Sequence, residues 1–170
     1  MIFIKEIKIL IIDVDGTLTD GKIYYSNSGE EIKAFNIKDG YAIKNILPKM
    51  GIIPVIITGR TSKIVEKRAK ELCIEEIYQK IENKIEIYEM LKIKYNLKPE
   101  NFAVIGDDYN DLPLFKICKY SACPSDSTGI IKINSKIILK SKGGDGAVQE
   151  YILEIFNKSN LKERYDFNEK

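Results

Sequence analysis

Two aspartates one residue apart, Asp13 and Asp15, follow a buried apolar run and introduce the segment Gly-Thr-Leu-Thr. Carboxylates this close repel each other, so the placement is unfavourable unless a cation or a ligand compensates the charge. A carboxylate here can attack a phosphorus atom and form an aspartyl-phosphate, which divides hydrolysis into two steps. A second carboxylate can protonate the leaving oxygen and later deprotonate the attacking water. We therefore predict that Asp13 is a nucleophile and that Asp15 is a general acid/base.

The chain contains no histidine, and this absence excludes several kinds of site. Ser-His-Asp catalysis, Cys-His catalysis and zinc sites with histidine ligands all need an imidazole. A metal bound by carboxylates would be a hard cation such as Mg²⁺. We predict that Mg²⁺ binds the Asp13 side chain, the Asp15 backbone carbonyl and the Asp107 side chain, and so relieves the crowding of the carboxylates.

Polar residues follow three further apolar runs, and these residues are Thr58-Gly59-Arg60, Lys84 and Gly106-Asp107-Asp108. In a parallel α/β sheet the ligand lies beyond the carboxyl ends of the strands, where these groups would meet. Thr58 would donate its hydroxyl to a phosphate, Gly59 would let its backbone N–H approach closely, and Lys84 would supply charge to the transferring group. Asp108 and Asp111 would order the metal ligands and hold Lys84.

Apolar runs alternate with segments of helical period, which predicts an α/β fold with a doubly wound, Rossmann-like parallel sheet. The predicted strands cover residues 7–14, 52–57, 76–79, 102–105, 120–122 and 136–139. The predicted helices cover residues 39–49, 61–72, 82–95, 110–117 and 147–156. The segment 22–35, with Asn27-Ser28-Gly29 at its turn, predicts a β-hairpin inserted after the first strand.

The composition is that of an ordinary globular chain, with 44% hydrophobic and 31% charged residues among 170. We predict one domain over residues 1–157 and a flexible polar tail over residues 158–170. The net charge of +2 gives no indication of a nucleic-acid or membrane partner. No apolar run reaches the roughly 18 residues of a membrane span, and no signal peptide is recognisable, so we expect a cytoplasmic protein.

The combination of these motifs resembles the haloacid dehalogenase (HAD) superfamily of Mg²⁺-dependent phosphotransferases across essentially the whole chain. Larger members insert a cap domain over the active site, whereas the insert here spans only residues 21–38, which is enough for a hairpin. The chain therefore looks like a capless, HAD-like member. A narrower resemblance is to the 3-deoxy-D-manno-octulosonate 8-phosphate (KDO 8-phosphate) phosphatase family, which acts on the way to lipopolysaccharide. Its matching segments are GKIYYSNSGEEIKAFNIKDGYAIK, ITGRTSKIVEKRA, IYQKIENK, IGDDYNDLP and KGGDGAVQE.

This resemblance implies a sugar acid phosphate as substrate and a homotetramer in which the hairpin of one subunit covers the neighbour's site. It implies Asp13 and Asp107 as metal ligands. The positions that match substrate-contacting residues are Asp15, Asn36, Ile37, Lys38, Asp39, Gly40, Lys44, Arg60, Arg68 and Lys84. The surplus of cations suits a substrate with a carboxylate as well as a phosphate, since Arg can bind a carboxylate through two parallel hydrogen bonds.

Five positions depart from the family's usual pattern. The family usually has Arg at the positions of Lys38 and Lys44, Gly at Lys80, and Arg at Asp145 and Gln149. None of these departures affects the residues predicted to transfer the phosphoryl group. They bear instead on which sugar acid is the substrate.

Other interpretations compete with parts of this assignment. Without the resemblance, Arg68 could form a surface salt bridge with Glu66 or Glu71, and Lys44 could lie on a solvated helix face. Relatives that act on nine-carbon sugar acid 9-phosphates tend to carry Glu where this chain has Arg60, so Arg60 favours the eight-carbon substrate. A non-catalytic tetramerising module is the alternative from another class, and the paired carboxylates argue against it.

Overall fold

A computed structural model describes residues 6–29 and 31–159. Within these ranges the strands are β1 (Ile9–Ile12), β2 (Tyr24–Tyr25), β3 (Glu31–Ile32), β4 (Ile53–Ile57), β5 (Glu76–Tyr78), β6 (Phe102–Ile105), β7 (Tyr120–Cys123) and β8 (Ile137–Ile138). The α-helices are α1 (Ile37–Tyr41), α2 (Lys63–Glu71), α3 (Lys84–Lys94), α4 (Leu112–Ile117), α5 (Gly129–Asn134) and α6 (Ala147–Lys158).

Six strands form one parallel sheet in the order β5-β4-β1-β6-β7-β8. The first strand lies inside the sheet, with Ile9 beside Ile53 of β4 and Phe102 of β6. Every residue of β1 is buried, which explains its unbroken run of Ile and Leu, because helices cover both faces of a parallel sheet. The residues that follow β1 therefore emerge at the middle of the sheet's carboxyl edge.

Alternate residues of β1 belong to two separate cores. Leu10 and Ile12 pack with residues of α2 and α6 on one face of the sheet. Ile9 and Ile11 pack with residues of α3, α4 and α5 on the other face. This three-layer arrangement confirms the predicted doubly wound α/β fold.

Polar caps set the starts of the helices beside the sheet's carboxyl edge. Ser62 caps α2 by accepting a hydrogen bond from the backbone N–H of Ile64 at 3.3 Å. Asn83 caps α3 by accepting from the N–H of Ile85 at 3.2 Å. Each cap satisfies a backbone donor that the helix itself leaves unpaired. The cap at Asn83 fixes Lys84 as the first residue of α3.

The predicted hairpin is present, although its paired strands are only two residues long. Tyr24 pairs with Ile32 in the antiparallel ladder, and the turn is closed by the N–H of Gly29, which donates to the carbonyl of Ser26 at 2.9 Å. Within the described residues, β2 and β3 are the only strands between β1 and α1. The chain accordingly has a hairpin there and no cap domain.

Apart from shifts of one or two residues at the ends of other elements, the structure differs from the sequence prediction in three places. Helix α5 was not predicted, because its isoleucines are β-branched and resemble strand residues. The predicted helix over 39–49 begins at Ile37 and continues through a π-helical turn, Ala42–Ile46, and a 3₁₀ turn, Pro48–Met50. Helix α6 reaches Lys158, inside the predicted tail, and residues 160–170 of that tail lie outside the described residues. None of the described helices is both long and apolar enough to span a membrane.

Candidate active site

A buried lysine joins two carboxylates at the carboxyl edge of the sheet. Asp13 directly follows β1, Lys84 begins α3, and Asp111 directly precedes α4. The ammonium of Lys84 donates to Asp13 Oδ1 at 2.5 Å and to Asp111 Oδ1 at 2.6 Å. All three side chains are at most 5% exposed, so water does not screen the interaction.

Asp107, which follows β6, brings a third carboxylate to the cluster. Oxygen atoms of Asp13, Asp107 and Asp111 lie within 4.8 Å of one another. The second oxygen of Asp111 accepts the backbone N–H of Asp107 at 3.0 Å, and the Thr17 hydroxyl donates to Asp107 Oδ1 at 3.3 Å. These contacts fix the Asp107 loop against the turn that follows β1. We call Asp13, Asp107, Asp111 and Lys84 the acidic cluster.

The charges of the acidic cluster do not balance. Burial is the main cause that raises the pKa of Asp13 to about 7; Lys84 opposes the rise, and the neighbouring Asp111 and Asp15 contribute to it. Burial, together with the nearby charges of Asp13 and Asp111, raises the pKa of Asp107 to about 8. Burial alone would lower the pKa of Lys84, but Asp13 and Asp111 outweigh it and hold that pKa above its usual range.

When all three carboxyl groups are ionised, the acidic cluster carries two more negative charges than its single ammonium balances, and a divalent cation would balance them. Oxygen-only donors in this number are those that Mg²⁺ prefers. The residues present therefore fit the predicted Mg²⁺. Asp111, predicted outside the metal ligands, lies with Asp13 and Asp107 in the group whose oxygens converge.

Two loops meet at the turn after β1, and glycines make the approach possible. Gly16 has a φ of +98°, and a Cβ there would lie 2.0 Å from Asp107 Oδ2. Gly144, with a φ of +71°, donates its N–H to the Thr17 carbonyl at 3.0 Å. A Cβ on the preceding Gly143 would lie 1.9 Å from the carbonyl oxygen of Gly16. The loop before α6 thus packs directly on the turn that carries Asp15.

Thr58 and Arg60 follow β4 at the same edge of the sheet. Thr58 is 2% exposed, and its hydroxyl oxygen accepts the N–H of Arg60 at 3.3 Å. The Arg60 guanidinium donates to Glu31 of the hairpin at 2.9 Å and remains 39% exposed. A Cβ at Gly59 would make only an ordinary contact, 3.6 Å from the Ile81 carbonyl oxygen. Close approach of a phosphate at Gly59 therefore remains a prediction.

Asp15 forms an ion pair with Lys33, which was not among the predicted site residues. The Lys33 ammonium contacts Asp15 Oδ1 and lies 3.2 Å from Glu31 Oε1. The Lys33 side chain is only 2% exposed. The alternation of charged and apolar residues along the hairpin could have indicated this residue. It places the opposite charges of Glu31 and Lys33 on one face of the strand and Ile32 on the other.

The predicted substrate-contacting segment 36–40 links α1 to α6 and α2. Asn36 caps α1 by accepting the N–H of Lys38 at 2.8 Å, and its amide donates to the Gly144 carbonyl at 3.4 Å. Asp39 is buried and accepts the N–H of Gln149 at 2.8 Å, at the start of α6. Gly40 lies under Arg68, since a Cβ there would be 2.3 Å from a guanidinium nitrogen. Ile37, by contrast, is 81% exposed.

Arg68 and Lys44 both bind around the carboxyl end of α2. Arg68 pairs with Glu71 at 3.3 Å, which is the alternative raised from the sequence, and it also donates to the Asn36 carbonyl at 3.4 Å. The Lys44 ammonium donates to the Glu71 carbonyl at 2.9 Å, where a cation is favoured by the helix dipole.

Asp108 caps the 3₁₀ turn before α4 by accepting the N–H of Tyr109 at 2.8 Å. Of the two residues predicted to hold Lys84, Asp111 is the one that contacts it. The geometry thus brings the predicted nucleophile Asp13, the predicted acid/base Asp15, a buried ammonium and a set of carboxylate oxygens that could hold a metal to one edge of the sheet. This combination can transfer a phosphoryl group to Asp13 and then to water.

Comparisons with known proteins agree with this chemistry. The family model described as haloacid dehalogenase-like hydrolase matches residues 69–152. A 3-deoxy-D-manno-octulosonate 8-phosphate phosphatase of Escherichia coli is 41% identical over 146 residues, which cover 86% of this chain and 77% of that protein. The phosphatase of that name from Yersinia pestis is 40% identical over 145 residues, which cover 85% and 77%.

Solved structures show the same likeness. The 3-deoxy-D-manno-octulosonate 8-phosphate phosphatase of Moraxella catarrhalis, in complex with magnesium, phosphate and KDO, matches with a TM-score of 0.90 at 36% identity. The match covers 95% of this chain and 92% of that one. The structure of the Yersinia pestis phosphatase matches with a TM-score of 0.90 at 38% identity, over 94% of this chain and 86% of that one.

Proposed function

We infer the function from the premise that this chain belongs to the 3-deoxy-D-manno-octulosonate 8-phosphate phosphatase family, among the haloacid dehalogenase-like hydrolases. We propose that it hydrolyses KDO 8-phosphate to KDO and phosphate in a Mg²⁺-dependent reaction that leads towards lipopolysaccharide. The observation that carries the proposal is the acidic cluster. Its carboxylate oxygens can hold a divalent metal, and its buried Lys84 ammonium can attract a phosphate.

In the first step the Asp13 carboxylate attacks the phosphorus atom, and the bond from phosphorus to the sugar oxygen breaks. Lys84 holds the Asp13 carboxylate in place and offers positive charge to the transferring group. When bound by Asp13, Asp107 and the Asp15 carbonyl, Mg²⁺ supplies the charge that lets an anionic nucleophile approach an anionic phosphate. Thr58 and the N–H of Gly59 would bind the phosphate oxygens.

Asp15 accounts for the protons of both steps. In its acid form it donates a proton to the departing sugar oxygen, which leaves as an alcohol. As a carboxylate it then takes a proton from the water that attacks the aspartyl-phosphate. That attack releases inorganic phosphate and restores the Asp13 carboxylate. The two steps together consume one water molecule and leave the protein unchanged.

The substrate assignment rests on the relatives and on Arg60. The relatives named above are KDO 8-phosphate phosphatases, and one was solved with KDO. The Arg60 guanidinium is partly exposed at the sheet edge beside Glu31, where its remaining N–H groups can bind a carboxylate. We propose that the remaining substrate contacts come from the positions matched by resemblance: Asn36, Ile37, Lys38, Asp39, Gly40, Lys44 and Arg68.

We further propose a homotetramer in which the hairpin covers the neighbour's site. The hairpin and α1 expose large apolar side chains, which are Ile23, Tyr24, Tyr25, Ile32, Ile37 and Tyr41. Such a concentration of exposed apolar residues is typical of a protein interface. Residues 1–157 would form one domain in each subunit. The three free cysteines are consistent with a cytoplasmic location, where thiols stay reduced.

The test is phosphate release from KDO 8-phosphate, from a nine-carbon sugar acid 9-phosphate and from simple sugar phosphates, each with Mg²⁺ and with EDTA. We expect Mg²⁺-dependent turnover of KDO 8-phosphate, and a loss of about 10³-fold or more in Asp13→Asn, because the nucleophile is removed. Preference for another sugar phosphate would overturn the substrate assignment but not the assignment of the reaction. A folded protein that releases no phosphate would instead be a binding module.

A further inference from the structure

Lys33 occupies an unusual place for a lysine on a small hairpin. The neighbouring hairpin residues Tyr24, Tyr25 and Ile32 are 41%, 66% and 58% exposed, whereas the Lys33 side chain is 2% exposed. Removing an ammonium from water costs free energy that an apolar side chain in the same place would not cost. A buried ammonium here therefore needs a reason beyond anchoring the hairpin.

The contacts of Lys33 supply that reason. Its ammonium lies against one carboxylate oxygen of Asp15, and among the described residues it is the only side chain that donates a hydrogen bond to that carboxylate. Glu31 holds Lys33 from the other side at 3.2 Å and also accepts from Arg60 at 2.9 Å. Lys33 and Glu31 of the hairpin thus link Asp15, after β1, to Arg60, after β4, in a row of alternating charges.

We propose that Lys33 is a positioning residue that fixes the Asp15 carboxylate for its contact with the leaving oxygen of the substrate. By binding Oδ1, Lys33 selects one orientation of the side chain and leaves Oδ2 to face the reacting group. Glu31 in turn holds Lys33 and couples it to Arg60. The inference rests on the proposed function, since it assigns Asp15 the role of acid/base there.

The leaving group distinguishes this role from a structural one. A sugar alkoxide leaves poorly unless it is protonated, whereas p-nitrophenolate leaves readily without a proton. The ratio kcat/KM reports the steps up to the first departure of the leaving group, so the shared hydrolysis of the aspartyl-phosphate does not obscure the comparison. A variant that misplaces Asp15 should therefore lower kcat/KM for the sugar phosphate more than kcat/KM for p-nitrophenyl phosphate.

The experiment compares wild type with Lys33→Met, which keeps the length of the side chain and removes its charge. We expect kcat/KM for KDO 8-phosphate to fall about 10- to 100-fold and that for p-nitrophenyl phosphate to fall less than about threefold. In an Asp15→Asn background, Lys33→Met should cost less than about twofold more, because Lys33 acts through Asp15. Equal losses for the two substrates, or full losses in the Asp15→Asn background, would overturn the proposal.

Lys94→Met is the matched control. Lys94 forms an ion pair with the mostly buried Glu76, which lies at the amino-terminal end of β5, away from the site. The variant should therefore leave kcat/KM unchanged for both substrates. If Lys33→Met does not fold, Lys33→Gln keeps an N–H donor and is tested with the same substrates. Should wild type prefer a different sugar phosphate, the substrate assignment fails, while that sugar phosphate still tests Lys33.

Discussion

At the scale of single residues, Lys84 is the group on which the buried carboxylates depend. It is the one cation within the acidic cluster, and its side chain is 1% exposed. The loss of Lys84 would leave Asp13 and Asp111 unpaired in a region that water does not reach. Removing one partner of such a pair costs more than the pair itself contributes, because the remaining charge stays buried.

We therefore predict that Lys84→Met lowers the free energy of unfolding by about 3–5 kcal/mol in the absence of metal, measured by urea denaturation. The double variant Lys84→Met/Asp111→Asn should be less destabilised than the sum of the two single variants, because it removes a charge from each side. Strict additivity would contradict a direct pair between Lys84 and Asp111.

The sequence permits prediction of the residues at strand ends but not of those that the hairpin contributes. Asp13, Lys84 and Asp107 could be grouped because each follows an apolar run, and parallel strands end at one edge. Lys33 lies on no sheet strand, and its burial depends on how the hairpin docks against Asp15. A single sequence contains the charge alternation of the hairpin but not its orientation. The contact of Arg68 with Glu71, by contrast, follows from helical spacing.

At the scale of elements, Asp39 couples α1 to α6. Its carboxylate faces the backbone N–H groups at the start of α6, and they lower its pKa. Burial is nevertheless the larger effect, and Asp145 adds to it, so the pKa rises from 3.8 to about 6. Between about pH 4 and 6 the unfolded chain releases the Asp39 proton while the folded chain retains it. The free energy of unfolding must then fall as pH rises through this window.

Asp39→Asn removes this pH dependence. The free energy of unfolding of Asp39→Asn minus that of wild type should rise by up to about 3 kcal/mol from pH 4 to pH 7. Urea denaturation across that pH range measures this difference. Glu150→Gln is a control of opposite sign. Backbone N–H groups of Lys140 and Ser141 outweigh burial and lower the pKa of Glu150, so this variant should be most destabilised at neutral pH. A wild-type to Asp39→Asn difference that is constant with pH would contradict the assignment.

Elements with one dominant local signal were predictable, and those with conflicting signals were not. Strand β6 was predicted with its exact bounds because its four residues form an unbroken apolar run. All four are buried in the structure. Helix α5 was missed because Ile130, Ile131 and Ile133 favour strands locally, while packing in the core decides for a helix. The start of α1 was misplaced by two residues because the cap at Asn36 was not recognised.

At the scale of the whole molecule, the exposed apolar face of the hairpin and α1 predicts an assembly. We expect wild type to sediment as a tetramer and Ile32→Glu, which places a charge in the proposed interface, to sediment as a smaller species. Ile133→Glu is the matched control, since Ile133 is 82% exposed on α5 and lies outside the hairpin. A monomeric wild type, or a tetrameric Ile32→Glu, would contradict the neighbour-covered site.

The packing of Gly143 and Gly144 on the turn after β1 has a consequence for how the enzyme is made. A ribosome releases the residues of β1 early, yet their partners in β4 and β6 follow some 40 and 90 residues later. The turn that carries Asp15 acquires its last support only when Gly144 reaches the Thr17 carbonyl. Because such distant contacts form late, a nascent chain holds a partly built sheet before it holds a finished site. Polypeptides released before residue 143 should therefore be targets for proteolysis rather than partly active phosphatases.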